Sequence, residues 1–91
     1  MNIILIDGRD PHNREELHQL LQDKLRLHEH YGRNLDALWD ALTGEVMMPL
    51  TIRWSFFDAC RETLGDYADQ VVEVMREAEQ EIDGFILELL P

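Results

Sequence analysis

The chain has 91 residues, 45% of them hydrophobic and 30% charged, with a formal net charge of −11. That length supports one core, so a single domain over residues 1–91 is expected, and the composition is not that of a disordered acidic tail. Such a charge argues against nucleic acid and anionic membrane as partners and favours a basic protein surface.

The opening run from Asn2 to Ile6 is a continuous β-branched and Leu run after its first residue, as expected of a strand buried on both faces. Together with Met1 and Asp7 it is too short, and too poor in flanking basic residues, for a signal peptide. No apolar stretch approaches the roughly 20 residues of a membrane span. Asp7-Gly8 turns the chain. A helix follows, opened either by Asp10-Pro11 or by Asn13 with Glu16 three residues on. Its apolar positions are Leu17, Leu20, Leu21 and Leu25, with Lys24 at the margin, and it runs to about Leu27. His28 to Gly32 is a polar, aromatic loop.

A short amphipathic helix is expected over about 35–43. Asn34 is its N-cap, and Leu35, Leu38, Trp39 and Leu42 fall at i, i+3, i+4 and i+7 in one apolar stripe. Gly44 supplies the left-handed residue that ends it, and Pro49 prevents its resumption. Asp36 and Asp40 lie together beside the stripe, with Thr43 between them and its edge. As like charges at i,i+4 they cost a few tenths of a kcal/mol. Asp36 is favoured by the helix N-terminus, whereas Asp40 stands in the half that disfavours anions.

After Pro49, Leu50 to Trp54 reads as a second strand. Ser55, with Asp58 three residues on, caps a short helix carrying Phe56, Phe57, Ala59 and Cys60. Gly65 ends that segment, and Asp66 caps a longer helix over about 67–81. Its apolar arc is Tyr67, Ala68, Val71, Val72, Val74, Met75 and Ala78. Asp83-Gly84 breaks it before a third strand, Phe85 to Leu90. Strands alternating with helices imply parallel pairing through right-handed crossovers. The expected fold is therefore α/β, a three-stranded parallel sheet packed with about four helices.

Charge is unevenly spread. Residues 1–33 hold six acids against five bases; residues 34–91 hold thirteen acids against only Arg53, Arg61 and Arg76. On the long helix Glu73, Glu77 and Glu81 form a second carboxylate ridge, which could join the Asp36–Asp40 pair in one acidic face. Neither set makes a persuasive enzyme: a carboxylate pair needs a cleft that separates its two pKa values, and Ser55 and Cys60 occupy cap and core positions. No nucleotide-binding glycine motif follows a strand. His28 and His30 lack the further ligands a structural zinc requires, so neither metal nor cofactor is expected, and His30 reads better as a contact at the loop apex. The lone Cys60, in an apolar pattern, reads as a buried thiol of a reducing, cytoplasmic environment.

The run Tyr31-Gly32-x-Asn34-Leu35-Asp36-Ala37-Leu38-Trp39-Asp40-Ala41-Leu42-Thr43-Gly44 resembles the barstar family of intracellular ribonuclease inhibitors. Asp7-Gly8, Leu17-His18-Gln19, Pro49-Leu50, Trp54, Arg76-Glu77-Ala78 and Glu81 fit the same family, so the likeness covers essentially the whole chain. It implies a barstar-like fold and inhibition by occlusion, with carboxylates standing where RNA phosphates would bind a nuclease. Carried over, Asp40 is the central anchor, Asp36 a second contact and Glu77 a peripheral one, while Gly32, Asn34, Leu35, Trp39, Thr43 and Gly44 shape or line the surface. The dominance of the aspartate at the Asp40 position is a known hot spot of barstar itself, inherited here through the resemblance. His30 stands where the family has a stacking tyrosine, Glu45 where it has a tryptophan, and Met47 where it has a glutamate; the family's two cysteines are absent. The implied partner is a basic microbial ribonuclease or another basic protein, met by an inhibitor that is monomeric when free. The alternative is a binding module of the same fold whose partner is not a ribonuclease.

Overall fold

Three strands, β1 (Asn2–Asp7), β2 (Leu50–Ser55) and β3 (Phe85–Leu89), form one parallel sheet in the order β1-β2-β3 in the computed structural model, which describes residues 2–91. The helices are α1 (Arg14–Leu25), α2 (Leu35–Asp40), α3 (Phe57–Leu64) and α4 (Asp66–Glu81). The expected α/β architecture is thus present.

Sequential strand order has a consequence for packing. Two right-handed crossovers stepping in the same direction place their helices on the same side of the sheet. Ile6, Leu50, Ile52, Trp54, Phe85 and Leu87 accordingly point into the core. Ile3 pairs with Thr51 and Thr51 with Ile86, Leu5 with Arg53 and Arg53 with Glu88, and these rows form the opposite face. There Ile3, Leu5 and Ile86 are 45%, 61% and 49% exposed, and Arg53 Nε meets Glu88 Oε1 at 2.7 Å. The expectation that the first strand is buried on both faces is therefore wrong: β1 is an edge strand with one open face.

Of the two possible starts for α1, the second is used. Asn13 Oδ1 accepts from the Glu16 N–H at 2.8 Å, and the Glu16 carboxylate accepts from the His12 N–H at 2.9 Å. Its buried face comprises Leu17, His18, Leu21, Gln22 and Leu25, so two polar residues lie where an apolar stripe was anticipated. The helix ends at Arg26, which takes a left-handed conformation (φ 54°).

Two expected caps are replaced. Ser55 does not cap α3; its hydroxyl donates to the Ile6 carbonyl at 3.2 Å and ties β2 to β1. The cap residue is Phe56, at φ 52°, with the Arg9 guanidinium 3.8 Å from its ring centroid. Gly8 permits this corner, since a Cβ there would collide with the Phe56 carbonyl. Asp66 is likewise not a cap but the first residue of α4, which Gly65 precedes at φ 63°. On α4, Tyr67, Ala68, Val71, Met75 and Ala78 are buried, with Val72 and Val74 half-buried at the edge of the arc. Trp54 is fully buried and meets Phe57 edge-on at 5.0 Å, but its Nε1 has no hydrogen-bond partner among the described residues. Cys60 is buried, and burial pushes its thiol up to about 11.

Candidate protein-contact site

The site is built on α2 and the loop before it. Asn34 Oδ1 accepts from the Ala37 N–H at 2.7 Å, satisfying one of the donors that a first turn leaves unpaired. Arg33 precedes it in a left-handed conformation (φ 54°). A Cβ on Gly32 would stand 3.1 Å from that of Ala37, so the loop runs close enough to the helix that a side chain there would be crowded. Leu38 and Leu42 are buried, while Leu35 and Trp39 are half-buried against the core. Asp36, Asp40, Thr43 and Gly44 face solvent.

The helix does not stop at a left-handed Gly44 as expected. At Ala41 it widens into a π turn, Ala41–Glu45, closed by the Val46 N–H on the Ala41 carbonyl at 2.9 Å. Thr43 Oγ1 donates to the Trp39 carbonyl at 2.8 Å, supplying a side-chain partner for a backbone acceptor just before the wider turn. Single π turns are rare and concentrate at functional sites.

The loop is anchored at several points. Glu45 Oε2 accepts from the His28 N–H at 2.7 Å, and the His28 carbonyl accepts from Gln22 Nε2 at 2.8 Å and from the Tyr31 N–H at 3.0 Å. The His30 N–H donates to His28 Nδ1 at 3.0 Å, and the two rings lie 5.0 Å apart. Beneath them His18 is wholly buried, its Nδ1 2.7 Å from the Tyr31 hydroxyl and its Nε2 2.5 Å from that of Tyr67. A neutral imidazole donates through one nitrogen and accepts at the other, so this ring joins α1, the loop and α4 without a charge. Burial, with a smaller contribution from the Arg33 charge, lowers the His18 pKa; burial raises that of Tyr31 and Tyr67.

Among the described residues no cation forms an ion pair with either aspartate. Arg33 turns to α1, its Nη2 2.6 Å from Gln19 Oε1 and 3.2 Å from Gln22 Oε1. The three arginines of the acidic half are committed elsewhere: Arg53 to Glu88, Arg61 to Asp69 at 3.1 Å, and Arg76 to Glu79 at 2.9 Å. Among the described residues, Asp36, Asp40 and Glu77 make no ion pair and no side-chain hydrogen bond.

The aspartates open into different hollows. Asp40 lines a shallow cleft of about 270 Å³ with His28, His30, Tyr31, Gly32, Ala37, Ala41 and Glu45. Asp36 lines another with Asn34, Leu35 and Arg33 from its own segment, Arg14 and Glu15 from α1, and Tyr67 and Gln70 from α4. Glu77, Trp39, Thr43 and Gly44 line neither, although α4, which carries Glu77, packs on α2 and its π turn. Sequence reasoning missed His18, Gln22 and Glu45. The i,i+4 spacing of His18 and Gln22 alongside Leu17 and Leu21 was the available signal for the first two; Glu45 stood out only as a departure from the family, with nothing to point to His28 as its partner.

Among the described residues no three His, Cys, Asp or Glu side chains are placed to hold a metal ion. None of the described helices is long and apolar enough to cross a membrane. The model of a family described as Barstar (barnase inhibitor) matches residues 1–89. A protein of Bacillus subtilis (strain 168) named "Putative ribonuclease inhibitor YrdF" is 54% identical over 82 residues, 90% of each chain.

Proposed function

The chain belongs to the barstar family, whose members are inhibitors and not enzymes, and on that premise we propose that it is a cytoplasmic inhibitor of a basic, barnase-like microbial ribonuclease. It acts as a plug. The loop His28–Gly32 and α2 enter the nuclease active site, and their carboxylates take the positions of RNA phosphates. Asp40 is the anchor, in the cleft it lines with His30 and Tyr31; Asp36 is a second contact one turn earlier on α2, and Glu77 a peripheral one. Gly32, Asn34, Leu35, Trp39, Thr43 and Gly44 give the surface its shape.

The observation that carries this reading is a capped, anchored loop and helix whose Asp36 and Asp40 have no side-chain partner among the described residues. Free, Asp40 costs its helix a fraction of a kcal/mol. Bound, a bidentate arginine in a desolvated site returns several times that. Preorganisation of the loop by Glu45, Gln22 and His18 lowers the ordering cost of association. The test is a titration of the protein, monomeric when free, into purified barnase and a second guanyl-specific ribonuclease. The expected result is loss of RNA hydrolysis with an endpoint at one inhibitor per enzyme. Activity unchanged at large excess for both nucleases would refute the reading.

A second reading, a barstar-fold module for a basic protein other than a ribonuclease, is favoured by one feature. His30 and Glu45 replace a stacking tyrosine and a tryptophan of the family, and Glu45 is engaged in holding the loop. Stoichiometric binding to a basic non-nuclease, with no effect on either ribonuclease, would establish it.

A further inference from the structure

We infer that Glu45 is a positioning residue for the contact surface: its carboxylate, delivered by the π turn, locks the loop His28–Gly32 in the shape that the partner meets. The inference rests on the reading of this surface as the inhibitory plug and assigns to Glu45 a role that the likeness to the family does not supply, since the family has tryptophan there.

The geometry is specific. Ala41–Glu45 is wound one residue wider than an α-turn, closing Ala41 onto Val46. A π turn advances the chain by less rotation per residue than an α-turn, so it alters the direction in which Glu45 leaves the helix. Glu45 Oε2 ends 2.7 Å from the His28 N–H, a charge-assisted bond across 17 positions of sequence. His28 is the hub of the loop. Its carbonyl receives the Gln22 side chain and the Tyr31 N–H, and its Nδ1 receives the His30 N–H. Of the two described side chains that reach His28 from outside the loop, Gln22 and Glu45, the second is the charged one and comes from the π turn of the contact helix. Fixing His28 fixes His30 and Tyr31, which line the same cleft as Asp40. Glu45 therefore sets the distance between loop and anchor, which is what a nuclease side chain in the cleft would measure.

The test compares Glu45→Ala, which removes the acceptor, with Glu45→Gln, which keeps a neutral one, in the full chain. Amide hydrogen exchange of His28, His30 and Tyr31 in the free protein reads the loop directly. Glu45→Ala should accelerate exchange at these amides by about tenfold or more, the scale of a charge-assisted bond, and Glu45→Gln should recover most of the protection. Amides of α4 should be unaffected, which separates a loop effect from general destabilisation. Against barnase, Glu45→Ala should weaken inhibition by about tenfold, with Glu45→Gln closer to wild type. Unchanged exchange in Glu45→Ala overturns the inference, as does altered exchange with unaltered inhibition. Failure of the wild type to inhibit any ribonuclease overturns the functional reading instead, and the exchange comparison still decides the role of Glu45 in ordering the loop.

Discussion

Asp40 stands on the half of α2 that repels anions, four residues from another aspartate, and among the described residues it makes no ion pair. Asp36 has the same exposure but gains from the helix N-terminus, so the two should differ in both contexts. Replacing Asp36 by Ala should lower the stability of the free protein slightly, by a few tenths of a kcal/mol, and replacing Asp40 should not, as equilibrium urea unfolding would read. His18 makes a different prediction. Burial holds it neutral, so its native pKa lies below the unfolded value near 6.5. The unfolded chain therefore binds the proton first. The stability that depends on neutral His18 is complete above the unfolded value and is lost as pH falls from there through the lower native value. The slope from this one group is at most about 1.4 kcal/mol per pH unit. Urea midpoints measured between about pH 7.5 and about pH 5 should fall more steeply for the wild type than for His18→Gln, which retains hydrogen-bonding capacity without titrating.

At the scale of elements, the proposed contact surface is a composite of α2, the π turn and a loop bound to α1 and α4. Its beginning was legible. Asn34 as cap, the stripe from Leu35 to Leu42 and the exposure of Asp36 and Asp40 all follow from periodicity and capping chemistry. Its end was not, because nothing at Gly44 distinguishes a left-handed stop from a wider turn; the difference lies in where the Glu45 and Thr43 side chains find partners. Ser55 and Asp66 misled for a related reason. Both are good caps by type, but a serine whose hydroxyl reaches the neighbouring strand's Ile6 carbonyl, and an aspartate after a glycine already at φ 63°, have other places to go. His18 and Gln22 were hidden because an apolar count ignores polar residues that pack inward with partners of their own. Asn34→Ala should cost about 1 kcal/mol of stability, since the Ala37 N–H loses its acceptor, and chemical denaturation measures it.

For the whole molecule, chain order decides which surfaces exist. Strands in the order β1-β2-β3 with helices on one side leave a sheet face open, and the apolar run of β1 splits into an inward and an outward half. Ile6→Ala should therefore cost about 2–4 kcal/mol, whereas Leu5→Ala, at 61% exposure, should cost about 1 kcal/mol or less in the same unfolding experiment. The concentration of carboxylates after residue 33 gives the molecule a long-range attraction for a basic surface, so association should slow with added salt while the anchor contacts persist. The central claim is that Asp40 anchors that surface. Its most direct test is the dissociation constant for barnase, or for whichever guanyl-specific ribonuclease the protein inhibits, measured for Asp40→Ala beside Glu62→Ala. Glu62 is an exposed carboxylate on α3, away from α2, whereas Glu79 would be a poor control because it accepts from the Leu87 N–H at 2.7 Å. Asp40→Ala should weaken the complex on the order of 30-fold or more, the scale of a hot-spot loss, and Glu62→Ala by less than about twofold. Equal losses in the two variants would contradict the account.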